Sequence, residues 1–321
     1  MYSFRELAQL FAERFETDHF PSSPSSLYGP AEYFLSLGGK RVRPVMCLMG
    51  NELFDDIHPD AYHMAIAIEL FHNFTLIHDD IMDAAPLRRG METLHKKYGN
   101  NTALLAGDVM MIQAYENVNK ITATYKKRIM NLFNRTGKEV CEGQQLDMDF
   151  EKQQNIALND YINMITLKTS VLLAASLETG AIIGGASEGN CRHIYEFGKN
   201  LGIAFQIQDD YLDAFGDADK FGKEQGGDIR QNKKTFLLLH TLEVCSDEQR
   251  EELQNLLNNN SDDKVSRVLK IFKSCNVDEW ANQLKERYLA TALKHLEDIA
   301  VISSRKKPLS DLADFLIQRD H

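Results

Sequence analysis

Two stretches of the chain are apolar around most of their helical circumference, at residues 61–84 and 194–215. A helix without a polar face must be surrounded by other elements, so both stretches predict interior helices of a helical bundle. The first twenty residues mix apolar and charged side chains, which predicts an amphipathic helix. The alternation of such segments along the chain indicates an all-α protein.

The distribution of proline supports this prediction. Seven prolines occur, and residues 87–307 contain none, whereas average usage of about 5% would place roughly eleven there. Proline breaks helix interiors, so its absence favours long helices. Helix breaks are predicted at residues 37–39, 86–90, 98–101, 184–185, 222–227 and 258–263. Residues 21–30 have the composition of a loose connector, and no other linker divides the chain, which predicts one helical domain over residues 1–321.

Composition excludes several classes of protein. The 36 basic and 47 acidic residues give a formal net charge of −11, which disfavours general binding of nucleic acid. The five cysteines are scattered without a CxxC pair, so a disulfide framework or zinc site is not expected. The N-terminus does not resemble a signal peptide, and charged or polar residues interrupt the most apolar run, residues 61–77. We therefore expect a cytoplasmic protein without a membrane span.

Both apolar stretches end in the same acidic motif, DDxxD, at residues 79–83 and 209–213. Residues i and i+4 of a helix share a face, so the first and last aspartates of each motif form a pair of carboxylates that repel each other. Magnesium relieves this repulsion, because it binds a few carboxylate oxygens and completes its octahedron with water and phosphate. One motif alone would fit a solvated acidic helix end. Two at the ends of apolar helices favour a metal site, with all three aspartates of each motif expected to face magnesium.

Basic residues close to these motifs in the sequence supply candidate phosphate ligands. They are Lys40, Arg41 and Arg43 after a glycine turn, Arg88 and Arg89 after the first motif, and Lys223 and Lys233 after the second. Arginine binds phosphate through two parallel hydrogen bonds, and lysine acts as a point charge. The combination of carboxylates and bases predicts a site for diphosphates.

These motifs resemble the trans-type isoprenyl diphosphate synthases, also called the polyprenyl synthetase family, and among them short-chain members such as geranylgeranyl and farnesyl diphosphate synthases. The resemblance rests on GGKRVRP at 38–44, DDIMD at 79–83, RRG at 88–90, GQQLD at 143–147, Lys168-Thr169, FQIQDD at 205–210, Gly222-Lys223, and Asp228 with Lys233. The family usually has a proline where this chain has Glu92.

The resemblance implies an all-α homodimer of the isoprenoid synthase type, with the two Asp-rich helices facing each other across a deep central cavity. It implies a prenyltransferase that joins isopentenyl diphosphate head-to-tail to an allylic diphosphate and releases pyrophosphate, with about three Mg²⁺ ions per active site. By motif match, the metal ligands are Asp79, Asp83 and Asp209. The allylic diphosphate ligands are Arg88, Lys168, Lys223 and Lys233, and the isopentenyl diphosphate ligands are Lys40, Arg43, His72 and Arg89. Thr169 and Gln206 join the catalytic group by stabilising the allylic cation.

Product length is expected to depend on Phe74, five residues before the first aspartate. In the family a bulky residue at this position often forms the floor of the cavity, although bundle core is the commoner role of such an aromatic. The resemblance therefore favours a C20 product, with C15 as the alternative.

Other functions remain open at this point. A class I terpene cyclase also ionises an allylic diphosphate through DDxxD, but its second metal motif normally differs and it does not need Lys40 and Arg43. A non-catalytic subunit of a prenyl synthase would tend to lose one Asp-rich motif. A structural acidic helical protein would leave the basic residues unexplained.

Overall fold

The computed structural model describes residues 1–15, 19–153, 155–216, 225–259 and 261–317. The described chain is almost entirely helical. Its helices are α1 (Phe4–Phe15), α2 (Ser25–Ser36), α3 (Val42–Glu52), α4 (Pro59–Met82), α5 (Leu94–Tyr98), α6 (Asn100–Asn119), α7 (Ala123–Lys152), α8 (Leu158–Ile165), α9 (Val171–Ile183), α10 (Glu188–Phe215), α11 (Gly227–Arg230), α12 (Phe236–Val244), α13 (Asp247–Asn258), α14 (Lys264–Ser274), α15 (Val277–Glu297) and α16 (Ser303–Ile317). A π-helical turn, Thr166–Ser170, joins α8 to α9, and two short strands, β1 (Leu87–Arg88) and β2 (Met91–Glu92), form a hairpin. The all-α prediction is confirmed.

The chain forms two compact units, each assembled from separate segments. Unit 1 comprises Met1–Arg135, Ala175–Ile194 and Ala300–Pro308, and unit 2 comprises Thr136–Ala174, Tyr195–Ile299 and Leu309–His321. The expectation of one domain over residues 1–321 stays a prediction.

Unit 1 is built around α4, the helix predicted from the first apolar stretch. Buried residues occur all around α4, which packs against α3 and most extensively against α6. Gly107 of α6 permits this close approach, because a Cβ atom there would lie 2.4 Å from Nε2 of His78 in α4. The core also contains Phe11, Phe34 and Met46. Burial of α4 places its C-terminal end, with the first Asp-rich motif, on a rigid element.

Unit 2 has its own hydrophobic core. Its buried residues include Ile207 of α10, Phe236 of α12, Leu253 of α13 and Val277 of α15. Apolar burial is the main stabilising contribution to such a bundle. The second Asp-rich motif lies at the C-terminal end of α10, as predicted from the second apolar stretch.

The expectation of a loose connector over residues 21–30 is wrong from Ser25 onward. Helix α2 begins there and passes through Pro30, which is buried with Ala31, Phe34 and Leu35. Proline removes one helical hydrogen bond, but burial of this apolar face contributes more than the bond would.

One segment of the described chain, Leu158–Ile183, is long and apolar enough to cross a membrane by length and composition. Within the protein 72% of its most apolar 18-residue window is buried. A core helix of a globular protein has this combination of properties.

Candidate active site

The first Asp-rich motif is followed by a tight hairpin that directs two arginines. Strand β1 pairs with β2 through Arg88 opposite Met91, and the two residues between them, Arg89 and Gly90, both have positive φ angles of 54° and 78°. This backbone matches the twist of a two-residue hairpin, and glycine adopts it without strain. The hairpin therefore fixes the backbone positions from which the side chains of Arg88 and Arg89 extend.

Asp80, the second aspartate of the motif, forms an ion pair with Arg88. Its side chain is buried and accepts hydrogen bonds from Nε of Arg88 at 2.9 Å and from Nη2 at 2.7 Å. A buried carboxylate needs such a partner, because an isolated charge is costly to remove from water. The expectation that all three aspartates of this motif face magnesium is therefore not met by Asp80.

The outer aspartates of the same motif lie at the end of α4. Asp79 is half-buried and Asp83 is exposed, with its N–H donating to the Asp79 carbonyl at 2.8 Å. The helical turn thus continues to Asp83 and keeps the two residues one turn apart. Two carboxylates at this spacing are hard oxygen donors, which suit magnesium.

The glycine turn before α3 brings Arg89 to the GGKRVRP segment. Gly38 and Gly39 have φ angles of 76° and 148°, and Nη1 of Arg89 donates to the Gly38 carbonyl. A Cβ atom on Gly39 would lie 2.8 Å from Nη2 of Arg89, so only glycine leaves room for the guanidinium. Lys40, next in the chain, is exposed.

Arg43 and His72 are in direct contact. Nη1 of Arg43 lies 3.1 Å from Nε2 of His72. Arginine can only donate, so Nε2 accepts, and the ring is the neutral tautomer that carries its proton on Nδ1. Burial lowers the pKa of His72 well below 6.5, and the positive charges of Arg43, Arg89, Arg88 and Arg41 lower it further. Burial also lowers the pKa of Arg43, to about 10, so Arg43 remains charged at neutral pH.

These contacts bring four guanidinium groups together in unit 1. Among the described residues, Glu69 pairs with Arg41 and Asp80 pairs with Arg88, whereas no carboxylate pairs with Arg43 or Arg89. The cluster therefore carries about two positive charges that its own acids do not balance. Such a cluster binds anions, and arginine forks fit phosphate oxygens.

Phe74 belongs to an aromatic group on α4. Its ring centroid lies 4.7 Å from that of His78 and 5.6 Å from that of Phe71, and Phe71 contacts Phe133. Phe71 is buried, whereas Phe74 is half-buried. Phe74 is therefore held in place by the core without being fully part of it.

In unit 2 the predicted Lys168 and Thr169 lie on the π-helical turn. Two glycines allow neighbouring helices to approach it. A Cβ atom on Gly143 of α7 would lie 2.2 Å from the Lys168 nitrogen, and one on Gly202 of α10 would lie 2.8 Å from Ser170 Cα. A π turn shifts the backbone carbonyls out of the regular helical pattern and is frequent at functional sites. Here Lys168 donates to Asp147 at 2.5 Å, and Thr169 donates to Gln206 at 3.4 Å.

The second Asp-rich motif divides its aspartates in a similar way. Asp209 is exposed, whereas Asp210 is buried and accepts hydrogen bonds from the Tyr161 hydroxyl and from Nε2 of Gln206 at 3.0 Å. Burial, followed by the charge of Asp228, raises the pKa of Asp210 to about 8. Asp213 accepts a hydrogen bond from the Asp228 N–H at 3.0 Å. Asp210 and Asp213 thus hold the surrounding backbone and side chains, which leaves Asp209 as the metal-ligand candidate of this motif.

Two basic residues, Lys223 and Lys233, are predicted after the second motif, and the structure describes only Lys233. Lys233 forms an ion pair with Asp228 at 3.1 Å. Lys223 lies outside the described residues.

Sequence reasoning missed two residues that support the site. Glu69 is buried in α4 and contacts Arg41 and Asn73, and Tyr161 in α8 is buried against Asp210. Glu69 gave one signal, because it is the single acid within the apolar run at residues 61–77. Tyr161 gave none, since its partner lies 49 residues away.

Comparison with known proteins identifies the family. The polyprenyl synthetase model matches residues 24–274. The chain is 37% identical to a geranylgeranyl pyrophosphate synthase of Geoglobus acetivorans, over 99% of this chain and 98% of that protein. It is 33% identical to a geranylfarnesyl diphosphate synthase of Natronomonas pharaonis, over 93% and 91% of the two chains. A crystal structure of a geranylgeranyl pyrophosphate synthase superposes with a TM-score of 0.94 at 43% identity, covering 99% of each chain.

The fold, the two Asp-rich motifs and these matches agree with the resemblance found in the sequence. They disfavour the terpene cyclase and the structural protein. The chain belongs to the polyprenyl synthetase family and is a prenyltransferase of the short-chain prenyl diphosphate synthase class.

Proposed function

We propose that the protein condenses isopentenyl diphosphate head-to-tail with an allylic diphosphate to give a short-chain trans-polyprenyl diphosphate and pyrophosphate. The observation that carries this proposal is the arginine cluster of unit 1 next to an Asp-rich motif. Arg43 and Arg89, whose guanidinium groups pair with no carboxylate in the part of the chain that the structure describes, suit a diphosphate. Lys40 and His72 complete the proposed isopentenyl diphosphate ligands.

The family uses divalent metal ions, and we propose that Asp79 and Asp83 hold magnesium from the first motif and Asp209 from the second, with about three ions per active site. The donor set fits, because these side chains are oxygen donors at helix ends and are not fully buried. Magnesium supplies charge stabilisation for the departing diphosphate when it is bound.

The remaining chemistry is assigned to residues of this chain. Arg88, Lys168, Lys223 and Lys233 are the proposed ligands of the allylic diphosphate. Fixed positive charges lower the barrier to ionisation, because negative charge develops on the leaving group in the transition state. The Thr169 hydroxyl, the Gln206 amide oxygen and the carbonyls of the π-helical turn are dipoles that can stabilise the allylic cation. No protein base is assigned, since the departing pyrophosphate can accept the final proton.

A C20 product is favoured. Several relatives are named geranylgeranyl synthases, and the geranylgeranyl chain has 20 carbons. The half-buried Phe74 below the first motif is the proposed floor of the cavity. A C25 product, as in the name of the geranylfarnesyl relative, would require the growing chain to pass the Phe74 ring.

We also propose a homodimer in the cytoplasm. Helix α6 exposes Leu104, Leu105 and Ile112, and the hairpin exposes Leu87 and Met91, each by 43% or more. Exposed apolar side chains of this kind favour an interface with another protein surface. A second copy of the chain is the proposed partner, and light scattering would measure about twice the 36.6 kDa chain mass. A monomer at micromolar concentration would refute this part.

One assay tests the function. The purified protein is incubated with magnesium, labelled isopentenyl diphosphate and dimethylallyl, geranyl or farnesyl diphosphate, and product length is measured by chromatography. We expect elongation that stops mainly at C20. No elongation with any primer would refute the proposed reaction and favour a non-catalytic subunit, and formation of a cyclic hydrocarbon from the allylic diphosphate alone would favour a terpene cyclase.

A further inference from the structure

We infer that Arg41 is a positioning residue for isopentenyl diphosphate, held by Glu69 and by the N-terminal helix α1. This inference rests on the proposed function. Arg41 itself is not assigned as a substrate ligand. Its guanidinium is turned toward the protein instead, where three different elements contact it.

The first contact is an ion pair with a buried carboxylate. Nη1 of Arg41 donates to Oε1 of Glu69, and Glu69 also accepts a hydrogen bond from Nδ2 of Asn73 at 2.9 Å. Glu69 and Asn73 are both buried in α4, where rigid packing fixes their side chains. Arg41 is therefore tied to the same helix that carries His72 and the first Asp-rich motif.

The second and third contacts come from α2 and α1. Nη2 of Arg41 donates to the carbonyl of Leu35 at 3.2 Å, near the end of α2, and the same oxygen also accepts the Gly38 N–H at 3.4 Å. The guanidinium also lies over the ring of Phe15 in α1, 4.7 Å from its centroid. This geometry is a cation–π contact, which favours a planar guanidinium.

The backbone of Arg41 explains why these contacts matter for the substrate. Arg41 has a φ angle of 50°, in the left-handed region that a non-glycine residue adopts only at a cost. It immediately precedes α3, so the side-chain contacts hold the sharp entry from the glycine turn into the helix. Lys40 and Arg43 lie on either side of this entry.

The other two proposed ligands depend on the same turn. Arg89 donates to the carbonyl of Gly38, and Arg43 contacts His72. All four proposed ligands of isopentenyl diphosphate thus either lie next to this turn in the sequence or contact it directly or through Arg43. The side-chain contacts of Arg41 stabilise the turn. Three of the allylic ligands, Lys168, Lys223 and Lys233, lie in other parts of the sequence.

The test is a comparison of KM for the two substrates. In Arg41→Lys the charge is kept, but the fork that reaches both Glu69 and Leu35 is lost. We expect KM for isopentenyl diphosphate to rise about tenfold, while KM for the allylic diphosphate and kcat at saturation change less than about threefold. Phe15→Leu removes the ring beneath the guanidinium, together with its contacts to Phe11 and His19, and is expected to raise the same KM by a smaller factor.

Arg14→Lys is the matched control, because Arg14 of α1 also makes a cation–π contact, 4.0 Å from the ring centroid of Tyr62. It is expected to leave both KM values unchanged. An unchanged KM for isopentenyl diphosphate in Arg41→Lys, or equal increases for both substrates, would overturn the inference. Failure of the proposed function is distinguishable, since the wild-type protein would then elongate no primer.

Discussion

Arg88 donates three hydrogen bonds to the carboxylate of Asp80, over distances of 2.7 to 2.9 Å. The pair joins the end of α4 to strand β1, eight residues later in the chain. It gives Asp80 a role different from that of Asp79 and Asp83, although the three belong to one motif. It also orients Arg88, whose side chain stays 27% exposed.

This relationship predicts that Asp80→Asn destabilises the protein. Asparagine has nearly the same shape, but it cannot balance the charge of Arg88 or accept all of its hydrogen bonds. Loss of charged hydrogen bonds at a buried position costs about 1–3 kcal/mol in free energy of unfolding, measurable by denaturant titration. Glu252→Gln is the control, because Glu252 pairs with Arg267 on the surface, where water screens the charges, and its loss should cost much less. Equal effects in the two variants would contradict the prediction.

The outer aspartates should behave in the opposite way. We expect Asp79→Ala and Asp209→Ala each to reduce turnover by a factor of about 100 or more, because charge stabilisation at the leaving group would be lost. Thermal unfolding should change little, since Asp79 is only half-buried and Asp209 is exposed. The exposed Asp56→Ala and Asp262→Ala serve as controls and should retain normal turnover. A near-normal rate in either test variant would refute the metal role of that residue.

The sequence predicts the helices and the C-terminal ends of the two interior helices well, because apolar periodicity depends on local pattern, whereas α10 begins six residues before the predicted residue 194. It does not distinguish Asp80 from Asp79, since the distinction arises when the hairpin brings Arg88 back to α4. The π-helical turn is missed for a similar reason: Lys168 and Thr169 are visible as a motif, but their backbone depends on the close approach of Gly143, 25 residues earlier. Pro30 shows the reverse case, in which tertiary burial overrides a local signal for a break.

Gly143 provides a test of that packing. A Cβ atom there would lie 2.2 Å from the Lys168 nitrogen and 2.7 Å from the Leu167 carbonyl carbon, so α7 and the turn must separate in Gly143→Ala. We expect a loss of about 1–3 kcal/mol in free energy of unfolding, together with lower turnover. Gly189→Ala in α10 is the matched control, because the nearest atom to its Cβ is 3.9 Å away. It should be neutral or stabilising by up to about 1 kcal/mol. A Gly143→Ala protein as stable and active as the control would contradict this account of the turn.

Phe74→Ala is expected to lengthen the product. The ring of Phe74 packs against Phe71 and His78, so its removal opens space that neighbouring side chains cannot easily fill. The measurement is chromatography of products from farnesyl diphosphate and labelled isopentenyl diphosphate. Phe71→Leu is the control: it alters the buried neighbour, and it should lower stability without changing product length. An unchanged product distribution in Phe74→Ala would exclude Phe74 as the floor.

His72 predicts how stability depends on pH. Its pKa in the folded protein is well below 6.5, because burial and the charges of Arg43, Arg89, Arg88 and Arg41 oppose protonation. In the unfolded chain His72 has an ordinary histidine pKa of about 6.5. Below that pH the unfolded chain therefore binds a proton at His72 that the folded protein does not bind. The stabilisation is fully present above pH 6.5 and is lost as the pH falls below it, with a limiting slope of about 1.4 kcal/mol per pH unit.

The measurement compares the wild-type protein with His72→Gln. Denaturant titrations at pH 7.5, 6.5 and 5.5 give the free energy of unfolding of each protein. The difference between the two free energies separates the contribution of His72 from that of the other histidines. We expect wild-type stability to fall more steeply than that of the variant between pH 6.5 and 5.5, while the gap between them stays constant above pH 6.5. Parallel curves across the whole range would mean that His72 is protonated equally in the folded and unfolded states. That result would contradict the neutral tautomer that accepts the hydrogen bond from Arg43.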